Sequence, residues 1–246
     1  MTWSPAVAPG GRRPESQVSP ASSRSLLVRY AVTWLYPAGF TAAGLVFATL
    51  SSRQQSAVLS WASTNVANLR HDPVGSLVAS AFVTPGSAVA WIALIVLAVF
   101  GANQVLGNWR TVLVCGAGHV IGTLVSEGIV AYRIAHGLLP VSAAHILDVG
   151  PSYIVVSALT VVVLYGSLLA RVAATIGLGV LIFAGHIFYG LSTSQVAAVG
   201  HAVAILSSAL LGSVLAWHVR RNGRLRQQGL RPAPPGGVAA PHAHPD

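Results

Sequence analysis

The chain alternates long apolar runs with short polar punctuation. Six runs reach the length of about 20 mostly apolar residues that a membrane-spanning helix needs. They cover 30–50, 88–107, 111–131, 149–169, 172–190 and 196–218. Clusters of Arg, Asn, Pro and Gly mark their ends, as at Asn108-Trp109-Arg110 and Arg171. Lipid offers no water to unpaired backbone groups, so helices are the expected form. The runs are too long and unbroken for the alternating strands of a membrane barrel. Between the first two runs, segment 51–86 exceeds a simple turn. Val58, Leu59, Trp61, Val66 and Leu69 recur there near helical spacing among Ser, Asn and Arg. That pattern predicts an amphipathic helix in the outer interface. A second apolar piece over 77–82 leads into the second span. No internal repeat of the kind that builds many transporters is evident.

Composition sharpens this picture. Of 246 residues, 54% are hydrophobic and 8% charged, against about 25% charged in a soluble domain. A water-soluble globular protein is excluded. All fourteen cationic side chains are Arg, which points to a GC-rich bacterial source. The net charge of +9 is distributed as a topology signal. With the N-terminus inside, Arg12, Arg13, Arg24, Arg29, Arg110, Arg171, Arg220, Arg221, Arg224, Arg226 and Arg231 are cytoplasmic, while Arg53, Arg70 and Arg133 are outside. Eleven against three predicts cytoplasmic termini in a bacterial plasma membrane. The bilayer is the partner this charge implies, and no nucleic acid is expected, because no folded module interleaves aromatic and basic residues. The N-terminal stretch has no apolar core before Leu26 and is rich in Pro and Gly. Residues 1–27 and 221–246 therefore read as disordered tails flanking a membrane domain over 28–220. His242 and His244 fall in the second tail as solvated side chains. Cys115 is the only cysteine, so no internal disulfide forms.

Ionisable groups inside a span are costly and mark function by default. Here they are His119 and Glu127 in the third run, Asp148 at the mouth of the fourth, His186 in the fifth and His201 in the sixth. Counted at about 1.5 Å per residue from the outer edge, Ser152 lies ~4 Å down, Glu127 and His186 ~6 Å, His201 ~7 Å and His119 ~18 Å. Ser152, Glu127, His186 and His201 thus come from four helices to one expected layer. Serine becomes a nucleophile when a base takes its proton. Gly150 permits close backbone approach beside it, and Pro151 suits a first helical turn. Free N–H groups at a helix start can stabilise an oxyanion.

Gly150-Pro151-Ser152-Tyr153 and Gly200-His201-Ala202-Val203-Ala204, together with the stretches 73–82 and 100–110, resemble the rhomboid family of intramembrane serine proteases. The resemblance covers about 28–220 and points to a divergent bacterial branch. It implies an all-α, six-transmembrane-helix bundle with a long external first loop. It also implies a Ser152/His201 dyad acting on transmembrane helices of other membrane proteins, with no cofactor and no metal. Three departures accompany it. Tyr153 stands where the family has Gly. Val89 and Ala93 stand where the family has an oxyanion-binding His and Asn. Ala202-Val203 replaces a glycine pair. One lost oxyanion donor costs about 2.7–4 kcal/mol, or 100- to 1000-fold in rate. Gly150, Tyr153, Glu127, His186 and His119 are the supporting candidates; a protonated His119 or His186 could replace the lost donor. The alternatives are a catalytically inactive relative that binds client helices, and a metal-dependent hydrolase using Glu127, Asp148, His186 and His201, although no His-x-x-x-His or Cys pair has ligand spacing.

Overall fold

The computed structural model describes residues 28–229. The predicted tail 1–27, and the part of the second tail holding His242 and His244, lie outside the described residues. Helices and their connections make up the described residues, without strands. The helices are α1 (Ala31–Ala48), α2 (Ser52–Ala62), α3 (Val66–His71), α4 (Pro73–Ser80), α5 (Ala88–Leu106), α6 (Asn108–Ala135), α7 (Ser152–Tyr165), α8 (Leu168–Phe183) and α9 (Val196–Gly229). α9 continues past 220, where the sequence pattern placed a tail.

Among the described residues, four helices are long and apolar enough to cross a membrane: α1, α5, α6 and α9 as far as Asn222. The fourth and fifth apolar runs give shorter helices, α7 of 14 and α8 of 16 residues. The fourth run spends its start on the loop Val149-Gly150-Pro151 and stops at Gly166. The fifth ends at Phe183, ahead of a turn through Gly185 and His186. The interval between α1 and α5 holds three short helices where one amphipathic helix was expected. The break falls at Ser63-Thr64-Asn65, where Ser63 and Thr64 bond to the segment before α7 and Asn65 caps α3 by accepting from Asn68 N–H.

α7 is apolar on every side, and such a helix is a core helix. It packs against α5, α6, α8 and α9, and all of 155–162 is buried. Lipid provides no hydrophobic drive between helices, so close approach through small residues must hold them. A side chain at Gly101 of α5 would meet Val162 of α7 at 2.7 Å. Gly118 of α6 faces Ser157 of α7 and Ser208 of α9. One turn on, a Cβ at Gly122 would lie 2.9 Å from the Gly200 carbonyl oxygen of α9. The far ends of α1, α5 and α6 are joined by amides. Asn103 donates to Thr33 Oγ1 and to Asn108 Oδ1, both at 2.9 Å, and Asn108 donates to the Val28 carbonyl.

These contacts separate two glycines on α6. Gly122→Ala drives a methyl into backbone, which cannot rotate away, and is expected to cost about 1–3 kcal/mol. A methyl added at Gly128 would have nothing within 4 Å, so Gly128→Ala is expected to leave stability unchanged or slightly raised. Thermal unfolding of both variants in detergent micelles checks the pair.

Candidate functional site

The segment leading into α7 is strapped to the first-loop helices by its backbone. Thr64 N–H and Oγ1 donate to the Asp148 carbonyl at 2.8 and 3.0 Å. Asp148 N–H donates to Ser63 Oγ at 2.9 Å, and Gly150 N–H to the Ser80 carbonyl at 3.1 Å. Gly150 has φ +136 and is buried, a backbone geometry that only glycine adopts without strain. Its role is therefore conformational, and its N–H is already used. Pro151 caps α7 and contributes no side-chain hydrogen bond, which leaves first-turn N–H groups of α7 free of a side-chain partner.

Ser152 opens α7, half-buried. Tyr153 follows and is buried. Its hydroxyl donates to Asp148 Oδ2 at 3.1 Å and rests against Gly200, where any side chain would collide with it. Its ring meets His201 edge-to-face, with centroids 4.9 Å apart, and the His119 ring at 6.1 Å. His201 is 4% exposed, and neither ring nitrogen has a hydrogen-bond partner. The carbonyls of Ala197 and Ile187 lie near it, out of hydrogen-bonding alignment. The expected Ser152–His201 hydrogen bond is therefore not formed. The group that meets His201 is the Tyr153 ring.

Glu127 is 2% exposed, beside Asp148 and the start of α3, and neither carboxylate oxygen has a hydrogen-bond partner. His119 is committed elsewhere. Its Nε2 reaches the Leu77 carbonyl at 2.9 Å and Ser80 Oγ at 3.2 Å, tying α4 to α6. A carbonyl only accepts, so Nε2 carries the proton and is not free to serve an oxyanion. His186 is exposed, at φ +50 in the turn after α8, and does not join the buried layer. The depth count failed there because α8 stops three residues before it. Val89 is 74% exposed and Ala93 is also exposed, so neither faces His201. Among the described residues no three His, Cys, Asp or Glu side chains come together as a metal set, so Glu127, Asp148, His186 and His201 are not assembled as one.

Two further roles, which sequence reasoning passed over, complete the site. Ser63-Thr64 acts as the strap, signalled only by a polar triplet inside an amphipathic stretch. Tyr153 acts as the packing partner of His201, signalled by the one large residue in a motif of small ones. The half-buried Asp148 carboxyl is pushed up to about 6 by loss of hydration, while hydrogen bonds from Tyr153 and Thr64 pull it part of the way down.

A family profile described as rhomboid-like protein matches residues 27–218. No curated protein and no solved structure matches the chain.

The raised Asp148 value sets a sign. Between the ordinary 3.8 and about 6 the folded chain binds more protons than the unfolded one, so stability falls as pH rises through that window. The unfolding midpoint in detergent is expected to drop from pH 4 to pH 7 and to flatten in Asp148→Asn. Tyr153→Phe removes one hydrogen bond, a loss of about 0.5–1.5 kcal/mol. It also removes an influence that lowers the Asp148 value, so the window is expected to move to higher pH.

Proposed function

The chain belongs to the rhomboid-like family, and on that footing we propose that it is a non-proteolytic member that binds transmembrane helices of other membrane proteins. The observation that carries this reading is the Tyr153 ring packed against His201, whose ring nitrogens take no hydrogen bond from Ser152. An imidazole activates a serine only through a hydrogen bond to its hydroxyl, and here a tyrosine ring, held by Asp148, takes the adjoining space. The outward-facing Val89 and Ala93 and the committed His119 Nε2 supply no oxyanion donor. In this reading all six apolar helices lie in a bacterial plasma membrane. The α2–α4 segment is on the outer face, and both termini are cytoplasmic, as the arginine asymmetry favours.

A short α8 supports a helix-binding role. Sixteen residues span about 24 Å, less than the ~30 Å hydrocarbon core. Leu168, Leu169, Ile176 and Phe183 present an apolar face along it, each at least 63% exposed. Lipid meeting this face is thinned at a modest cost per ångström. A client helix with a short or interrupted apolar stretch relieves that mismatch on both sides.

A peptidase reading keeps one observation in its favour. Ser152 sits at a helix start with free N–H groups beside it, and His201 has no competing hydrogen bond. In that reading Ser152 Oγ attacks a client peptide carbonyl, His201 takes the proton, and the first-turn N–H groups of α7 receive the oxyanion.

Labelling in native membranes with a serine-directed fluorophosphonate separates the two. No Ser152 adduct is expected in folded protein. An adduct in wild type that disappears in both Ser152→Ala and His201→Ala would establish the peptidase instead. Helix binding is checked in liposomes with a photoreactive residue at Ile176 and a synthetic single-span helix. Saturable crosslinking is expected, and adducts to lipid alone would remove the binding role.

A further inference from the structure

A cavity of about 370 Å³ lies between α1, α4, α5 and α6, with Ile154 of α7 also in its wall. On α6 its wall is Thr111, Val112, Cys115, Gly116, His119 and Val120. That is a stripe of paired residues repeating every four positions, so the cavity runs parallel to a spanning helix. Nine residues of rise make it about 13.5 Å long. A narrow apolar groove of that length, parallel to the helix, has the form that a stretch of extended hydrocarbon chain fills.

Its lining asks for nothing polar. The Thr111 hydroxyl donates to the Gly107 carbonyl, the Tyr36 hydroxyl to the Ala81 carbonyl, and His119 Nε2 to the Leu77 carbonyl. His119 Nδ1 is sealed from the cavity surface. Water needs two to four polar partners to reside in such a space, and none remains. The rim includes Val78 and Val112, more than half exposed, so the groove opens sideways through an apolar mouth. Its inner end carries charge of one sign. Arg110 precedes Thr111, and Arg29 lies one turn before Val32, which lines the α1 wall. The two helix starts are held together, because Asn108 accepts from Val32 N–H and donates to the Val28 carbonyl. Arg29 and Arg110 thus stand in sequence beside the end of this apolar slot, Arg29 over the Tyr30 ring and Arg110 over the Trp109 ring with a hydrogen bond to the Leu106 carbonyl.

We propose that this groove is a lipid site: one acyl tail of an anionic phospholipid lies along α6, with the headgroup phosphate at Arg29 and Arg110. The tail lines up with its neighbours in the bilayer and fills a space that would otherwise lose its packing contacts. The arginines reach the phosphate as cations on flexible stems.

Native mass spectrometry of the full chain from nanodiscs tests this. With phosphatidylglycerol in the discs, one retained phospholipid per chain is expected. With phosphatidylcholine alone, retention is expected to fall at least tenfold. Gly116 faces open space, so Gly116→Leu plugs the groove and is expected to abolish the adduct, while Gly128→Leu outside it retains the lipid. Arg29→Gln with Arg110→Gln is expected to lower retention about tenfold. Wild type offers a readout independent of any variant. A phosphatidylglycerol with a diazirine in its tail is expected to crosslink within 111–120, and to shield Cys115 from a membrane-soluble maleimide. An adduct unaffected by Gly116→Leu, equal retention of both lipids, a free fatty acid as the bound species, or no crosslink within 111–120 would each overturn the assignment.

Discussion

With lipid around the bundle, burial of a hydrocarbon surface gains nothing over contact with acyl chains. What remains to hold the bundle is close backbone approach, and here that approach runs through glycine. Gly101 lets α5 meet α7 at Val162, and Gly118 lets α6 meet α7 and α9. Gly122 brings α6 onto the Gly200 carbonyl of α9. α7, apolar all round, is the element these contacts enclose. The position of every group near His201 is inherited from them.

Enclosing α7 creates a second demand. The chain reaches α7 through a segment that becomes buried at Gly150 and Pro151, and its backbone groups need partners that lipid cannot supply. The first-loop helices supply them, with Ser63 and Thr64 paired to Asp148 and the Ser80 carbonyl to Gly150. The interval between α1 and α5 is therefore part of the core construction. The same strap places the Asp148 carboxyl beneath the Tyr153 hydroxyl, and Tyr153 then fills the space against Gly200 and His201. A larger residue at 200 or a smaller one at 153 would change what the imidazole meets. The character of the site thus turns on two residues that carry none of the expected chemistry.

Glu127 and His201 keep buried polar atoms without hydrogen bonds, on facing stretches of the bundle. Buried polar groups are nearly always paired, and ionisable ones within a membrane span are retained for function more than for stability. The non-proteolytic reading leaves that layer intact as a specific polar feature of the helix-binding body. The lipid groove shares α6 with that layer but lies farther along the helix, and its apolar lining shows how sharply the two regions differ in chemistry.

Hydropathy alone located each apolar run, because the cost of exposing backbone in lipid is a local, length-dependent property. Each of the six runs contains a helix, and the family resemblance carried by Gly150, Ser152, Gly200 and His201 is matched by the family profile over 27–218. The run lengths misled at α7 and α8, where apolar loop residues extend the pattern without extending the helix. Buried His119, Glu127 and His201 were legible as ionisable residues inside apolar runs. Which atom faces which was not. A depth count fixes one coordinate along the membrane normal and leaves rotation about each helix axis open. That rotation turned Val89 and Ala93 outward, set Tyr153 rather than Ser152 against His201, and gave His119 to Leu77. The early end of α8 put His186 at the surface. Those outcomes depend on small-residue contacts between helices distant in sequence, so the tertiary structure alone decided them.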